Sequence, residues 1–161
     1  MNIQRRIYVI AEMLLCFMLN IILITVVFLL CGIKINTINF IVPIIIMLFY
    51  RYKLFFERKK YLWLDFAVCV IILLFFILLS GNVFDQTCDG AAYHKTAVGL
   101  LKEGWNPFYM SASEYNSITH SIHPERYNPL LWAETYPKAT WYFAANLYYL
   151  TNCIESGKCY T

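Results

Sequence analysis

The sequence predicts an all-α integral membrane protein with three to four transmembrane helices and an extracytoplasmic interfacial helix and loop. Of its 161 residues, 60% are apolar and only 14% are charged, a composition typical of membrane proteins. Long apolar runs fill the first half, whereas the second half is mixed, aromatic and loop-rich. We therefore expect a transmembrane region at 1–81, an extracytoplasmic loop at 82–135, and an aromatic helix with a tail at 136–161.

The first apolar run, at 7–32, is long enough to be a membrane anchor. At about 1.5 Å of rise per residue, it exceeds the ~30 Å thickness of the hydrocarbon layer. Arg5 and Arg6 precede it as in a signal peptide, but the apolar part is much longer and no small-x-small cleavage site follows. We interpret this run as a helix that the protein retains.

The second run, at 35–50, leaves two structures open. It is shorter and contains Pro43, so it either spans the membrane or forms a re-entrant segment. The tight connection around Gly32 favours a helical hairpin with the first run.

The third run, at 61–81, is the clearest span because it is long and almost uniformly apolar. It carries Asp65 near its start, where Lys59 or Lys60 can pair with it. Neither Asp65 nor Glu12 of the first run lies at mid-span, so a transporter with a proton relay is disfavoured.

The basic residues predict the orientation of these helices. Seven of them flank the spans on one side and one lies on the other side: Arg5, Arg6, Arg51, Lys53, Arg58, Lys59 and Lys60 against Lys34. Because short positive loops stay in the cytoplasm, the N-terminus and the 51–60 loop are predicted to be cytoplasmic. With three spans, the 82–135 loop lies outside the cytoplasm, at the cell membrane. If the second run does not cross the membrane, the same loop is cytoplasmic.

Residues 86–103 are predicted to form an amphipathic helix on the membrane surface. Asp85, Asp89 and Tyr93 recur every four residues, so they would line one side, about 5–6 Å apart at Cβ. Apolar residues occupy the opposite side, which would face the bilayer. Gly104 is expected to end this helix.

The two aspartates have two interpretations that the residues alone leave open. In one, Asp85 or Thr87 caps the helix and Asp89 favours its positive N-terminal end. In the other, a carboxylate beside the membrane acts as general base toward a hydroxyl, or the pair shares a divalent cation.

The last helical pattern, at 136–150, is either an interfacial helix or a fourth span, since it is short and rich in Trp and Tyr. Lys138 lies just inside its start. There its charge and the free backbone N–H groups can hold a phosphate, or it can anchor the helix among lipid headgroups. For His94 too, the residues alone leave a functional and a structural role open.

Two other kinds of site are not expected from this sequence. No basic block interleaved with aromatic residues suggests nucleic acid as a partner. The six cysteines include no C-x-x-C pair, and His120 and His123 lack an assignable third ligand, so no metal site is predicted from them.

The order of residues in the second half resembles the N-terminal portion of the polytopic GT-C glycosyltransferases, and also uncharacterised bacterial membrane proteins related to them. The shared features are an acidic residue with Tyr and Ala at four-residue steps, a Gly-aromatic-x-Pro turn and an aromatic-Pro-Lys helix start. Here these are Asp89, Tyr93 and Ala97, then Gly104-Trp105-Asn106-Pro107, then Tyr136-Pro137-Lys138.

This resemblance implies sugar transfer from a polyprenyl-phosphate donor at an extracytoplasmic site next to membrane lipid. It implies that Asp89, or Asp85, is the catalytic base toward the acceptor. The implied substrate-binding residues are Tyr93, His94, Trp105, Tyr136 and Lys138. GT-C enzymes have many more spans, so the chain is expected to be a fragment of such a protein or part of a larger assembly.

A non-catalytic membrane protein is the alternative. The chain would then be a binding or assembly subunit whose aromatic loop rests on the membrane and contacts a membrane-protein partner. The aromatic residues of the second half suit both hypotheses.

Overall fold

The computed structural model describes residues 3–54, 62–83, 94–120, 129–135 and 138–160. These residues are all-helical and include no strand, which confirms the helical fold class. In chain order the elements are α1 (Ile3–Leu30), α2 (Ile38–Leu54), α3 (Leu62–Gly81), α4 (Lys95–Glu103), α5 (Ala112–Thr119), α6 (Pro129–Thr135), α7 (Ala139–Thr151) and a 3-10 helix (Ile154–Tyr160).

Two of these helices are long and apolar enough to cross a membrane. They are Arg6–Leu30 within α1 and Trp63–Gly81 within α3. Only 28% and 11% of their apolar windows are buried inside the protein, whereas the core helix of a soluble protein is mostly buried. Their outer surfaces are therefore covered with exposed large apolar side chains.

α1 and α2 form an antiparallel hairpin. Gly32 in the connection has φ +75°, a left-handed conformation that glycine adopts without strain. Asn36 Oδ1 accepts a hydrogen bond from the N–H of Ile38 at 2.9 Å and so starts α2. At the far end, the Tyr50 hydroxyl lies 3.4 Å from Glu12, so α2 returns along most of α1 as one continuous helix.

α3 runs parallel to α1. The fully buried carboxylate of Asp65 pairs with Arg6 at 2.9 Å. One turn further on, the Cys69 thiol lies 3.7 Å from the carbonyl of Ile10. Both contacts join the N-terminal parts of the two helices. One end of the molecule therefore holds the starts of α1 and α3.

α7 lies at the centre of the fold. Its residues 141–147 are all buried, and it packs against α1, α4 and the 3-10 helix. The approach of the 3-10 helix is close, since a Cβ on Gly157 would lie 2.9 Å from that of Ala144. The middle of α7 is thus surrounded by protein, whereas its two ends are exposed.

A buried polar network joins α1, α2 and α7. The Thr25 hydroxyl accepts hydrogen bonds from the amides of Asn39 at 3.1 Å and Asn146 at 2.8 Å, and donates to the carbonyl of Ile21 at 2.7 Å. The hydroxyl and both amide side chains are inaccessible to solvent. Such bonds hold apolar helices together where hydrophobic packing alone gives little specificity.

Candidate functional site

The framework of the site is a turn that closes α4 and then crosses the end of α1. Gly104 has φ +119°, and the N–H groups of Gly104 and Trp105 both donate to the carbonyl of Leu100, at 3.1 and 2.8 Å. This is the usual glycine-dependent helix ending, and it occurs at the predicted residue.

The segment after this turn is fixed to α1. The Asn106 amide donates to the carbonyl of Leu29 at 2.6 Å, and the Tyr109 hydroxyl donates to the carbonyl of Leu30. The last carbonyls of a helix have no partner within it. The Leu29 carbonyl accepts both the Asn106 amide and the N–H of Gly32, at 3.0 Å, and the Leu30 carbonyl accepts the Tyr109 hydroxyl. Residues 105–110 therefore lie at the opposite end of α1 from Arg6.

A cleft of about 370 Å³ opens between this segment and the junction of α6 and α7. Its volume lies in the range of small-molecule sites. The lining residues combine aromatic rings, two carboxylates and one ammonium group: Trp105, Pro107, Tyr109, Met110, Ser111, Glu114, Glu134 and Lys138.

The two carboxylates of the cleft converge on the N-terminus of α5. Ser111 and Glu114 form a reciprocal capping box, in which each side chain accepts a backbone N–H of the other at 3.1 Å. Glu134 of α6 accepts the N–H of Ser113 at 3.0 Å. The positive end of the helix favours both negative charges. The Ser-x-x-Glu pattern was readable in the sequence, whereas Glu134 reaches this point only through tertiary packing.

Lys138 lies at the start of α7, as predicted, and lines this cleft. Its ammonium group donates to the backbone carbonyl of Glu134 at 2.9 Å. A half-buried cation thus lies on the same wall as the α6 carboxylate. The cleft can offer acceptors to hydroxyl groups and one cation to an anionic group.

Trp105 forms part of the cleft but is held by the protein itself. It is 1% exposed, and its indole N–H donates to the carbonyl of Met110 at 2.9 Å. Its main role in this arrangement is to fix the turn after α4, with its ring contributing an apolar wall.

His94 lies at the start of α4 and is not among the residues that line the cleft. Its Nδ1 accepts a hydrogen bond from the indole N–H of Trp141 at 2.7 Å, with the two rings edge to face. An imidazole nitrogen that accepts carries no proton, so Nε2 bears it in the neutral ring.

The remaining predicted residues, Asp85, Asp89, Tyr93 and Tyr136, lie outside the described residues, so their roles stay predictions. The described chain contains no group of three metal-ligating side chains, and the aspartates proposed to share a cation are not part of it. Of the predicted site, the structure brings Trp105 and Lys138 together in one cleft, and adds Glu114 and Glu134 to them.

Comparison of the chain with protein-family models, with curated proteins and with solved structures found no match. The resemblance to GT-C glycosyltransferases therefore rests on the quoted residues alone.

Proposed function

We propose that this chain is a multi-pass membrane protein that binds a phosphate-bearing, lipid-linked sugar in the cleft at 105–138, as part of a GT-C-like transferase. The observation that carries this proposal is the lining of the cleft. Two carboxylates and Lys138 share it with an apolar, aromatic wall. A sugar phosphate needs acceptors for its hydroxyl groups and a cation for its phosphate.

The relative directions of the helices support a position for the cleft outside the cytoplasm. The α1–α2 hairpin and the parallel α1 and α3 put Arg6 and Asp65 at one end. Asn106 and the cleft lie at the other end, beside the end of α1. Arg6 and the last turn of α2, which contains Arg51 and Lys53, lie at the end opposite the cleft, and the charge rule for membrane proteins assigns an end rich in basic residues to the cytoplasm.

In the proposed reaction, a carboxylate takes the proton of an acceptor hydroxyl while that oxygen bonds to the sugar's anomeric carbon. The bond from that carbon to the polyprenyl phosphate breaks, and Lys138 balances the charge on the departing phosphate. Asp89, or Asp85, remains the proposed base. Glu134 and Glu114 would hold the sugar hydroxyls.

The binding step is tested with the purified chain in lipid nanodiscs and polyprenyl phosphate as the probe. Lys138→Gln should weaken binding about tenfold, because a hydrogen bond to a charged group contributes roughly 1.5–3 kcal/mol. The matched control is Lys102→Gln. Its ammonium group bonds to Asn152 at 3.3 Å and stacks over the Tyr148 ring, outside the cleft lining.

Uncharged polyprenol should bind equally to the original chain and to Lys138→Gln. Equal losses of polyprenyl phosphate binding in Lys138→Gln and Lys102→Gln would contradict the assigned site.

A non-catalytic assembly subunit is the second candidate, and a specific observation favours it. Several polar groups near the cleft already have structural partners: Glu114 caps α5, Glu134 binds the N–H of Ser113, and Trp105 binds Met110. Sugar transfer by the full protein that Asp89→Asn abolishes without affecting insertion would favour the transferase. Transfer that survives this change would remove the role of Asp89.

A further inference from the structure

The buried polar network that joins α1, α2 and α7 contains an acceptor that lacks a donor. The side-chain oxygen of Asn146, Oδ1, is inaccessible to solvent, and none of the described residues donates a hydrogen bond to it. Such a group lowers stability, because it has lost its bonds to water and has gained none in return. Native proteins pair most of their buried polar groups with protein atoms or with ordered water, so this oxygen indicates a further donor.

The orientation of the Asn146 amide is fixed by its other two bonds. Its nitrogen donates to the Thr25 hydroxyl at 2.8 Å and to the backbone carbonyl of Tyr142 at 2.7 Å, which uses both amide hydrogens. Exchanging the nitrogen and the oxygen of this amide would place Oδ1 against the Tyr142 carbonyl, with no hydrogen between the two oxygens. The oxygen is therefore the end of the amide that needs a partner.

The Thr25 hydroxyl cannot supply the missing donor. Its single hydrogen goes to the carbonyl of Ile21 at 2.7 Å, and its oxygen accepts from the amides of Asn39 and Asn146. A hydroxyl has one hydrogen and two lone pairs, so all of its bonding capacity is used. The donor to Asn146 must come from elsewhere.

Asn39 has a second amide hydrogen close to this oxygen. Its amide nitrogen carries two hydrogens, and among the described residues only the Thr25 hydroxyl, at 3.1 Å, accepts from it. The Asn146 nitrogen bonds to the same hydroxyl oxygen, so the two amides are neighbours. They do not bond directly, since Asn146 Oδ1 has no donor within hydrogen-bonding distance. A water molecule readily bridges a neighbouring donor and acceptor that do not reach each other.

We propose that one internal water molecule bridges Asn39 and Asn146. It accepts the second amide hydrogen of Asn39 and donates to Asn146 Oδ1. The two partners select this ligand, because the N–H group repels a cation and the carbonyl oxygen repels an anion. Both side chains are 0% exposed, so the site holds only a molecule that the protein can enclose. Water combines a donor and an acceptor at the smallest size.

The position of this water places it at the cleft end of the molecule. At about 1.5 Å per residue, Thr25 lies roughly 28 Å along α1 from Arg6. Leu29, one turn further on, accepts the amide of Asn106, which belongs to the segment beside the cleft. The water therefore helps to hold α7, which has Lys138 at its start, against the α1–α2 hairpin. The bridge does not depend on the proposed function.

The test uses the full chain in lipid nanodiscs, with isotope-labelled asparagine, and NMR transfer of magnetisation from water to the side-chain amides. The Asn39 amide should show a cross peak to bound water. Asn20 is the control within the same chain, because its amide donates to the carbonyl of Cys16 at 2.7 Å and would lie in hydrocarbon. Asn146→Leu should abolish the Asn39 cross peak, whereas Asn116→Leu, a change at a buried asparagine of α5, should keep it.

Absence of a water cross peak at Asn39 in the folded original chain would overturn the bridge, even if Asn146→Leu does not fold, and would leave the proposed function standing. A cross peak that Asn146→Leu leaves unchanged would overturn Asn146 as the second partner. Equal cross peaks at Asn39 and Asn20 would show general hydration of α1. This result would overturn both the bound water and the membrane insertion in the proposed function.

Discussion

The two ends of the molecule each hold a buried carboxylate that pairs with a basic residue of another helix. At the end with the helix starts, Asp65 pairs with Arg6 at 2.9 Å. Near the opposite end, Glu155 of the 3-10 helix pairs with Lys95 of α4 at 2.5 Å. The Asp65 side chain is 0% exposed and sits in an apolar helix, whereas that of Glu155 is 8% exposed on a short helix.

The two ion pairs have similar N–O distances, but the helices around them pack differently. The 3-10 helix also makes the close steric contact of Gly157 with Ala144 and packs against both α3 and α7. α3 meets α1 through apolar side chains, together with the Asp65–Arg6 pair and the contact of the Cys69 thiol with the carbonyl of Ile10. The comparison indicates that charge fixes α3 against α1, while shape fixes the 3-10 helix against α7.

The largest effect is expected from breaking the Arg6–Asp65 pair, whose carboxylate is fully buried while its guanidinium is partly exposed. Arg6→Leu should lower the free energy of unfolding by about 3 kcal/mol, because it removes the guanidinium group from a buried charge. The double change Arg6→Leu with Asp65→Leu should recover most of this loss, since no buried charge then remains. Chemical unfolding in detergent micelles measures both. A loss below about 1 kcal/mol for Arg6→Leu would show that charge does not fix α3.

An intermediate effect is expected from the steric contact at the other end. Gly157→Ala should cost about 1–3 kcal/mol, because the new Cβ would lie 2.9 Å from the Cβ of Ala144 and 3.2 Å from its Cα. Gly99→Ala in α4 is the matched control. Its added Cβ would meet nothing within 4 Å, so it should be neutral or stabilise by up to about 1 kcal/mol. Similar unfolding midpoints for both variants would refute the role assigned to shape.

The smallest effect is expected on the titration of Tyr115, a half-buried residue of α5. Burial, and then the nearby Glu103 carboxylate, raises the pKa of Tyr115 above its ordinary value of 10.0. The folded state thus favours the neutral phenol, so this contribution to stability is present below pH 10 and is lost as pH rises through the raised pKa.

Tyrosinate absorbance, taken as the difference between the original chain and Tyr115→Phe, measures this titration. Glu103→Gln should move it toward lower pH. If Tyr115 titrates at its ordinary pKa in the folded chain, its hydroxyl is fully hydrated and the burial assigned to it is wrong.

The helices of the first half were predictable because length and hydropathy are local properties of a sequence. The run at 61–81 corresponds to Leu62–Gly81, and the run at 7–32 to Ile3–Leu30. The partner of Asp65 was not predictable in this way. The sequence suggested Lys59 or Lys60, whose side chains lie outside the described residues, but Arg6, 59 positions away along the chain, forms the observed pair.

The candidate site shows the same division. Lys138 at a helix start and Gly104 at a helix end follow local rules, and the structure has both there. The sequence did not predict a role for Glu134, because nothing local to a short helix indicates that its carboxylate will accept the N–H of Ser113, 21 positions earlier. His94 was expected beside a phosphate, but its bond to Trp141, 47 positions later, depends on how α4 meets α7.

The attachment of Asn106 to the end of α1 also constrains how the protein is made. Asn106 follows Leu29 by 77 positions, so a ribosome must translate three further helices, α2, α3 and α4, before this bond can form. Until then, the carbonyl of Leu29 has the N–H of Gly32, at 3.0 Å, as its local partner. The first helix to be synthesised therefore receives its contacts with Asn106 and Tyr109 only after most of the chain has been made.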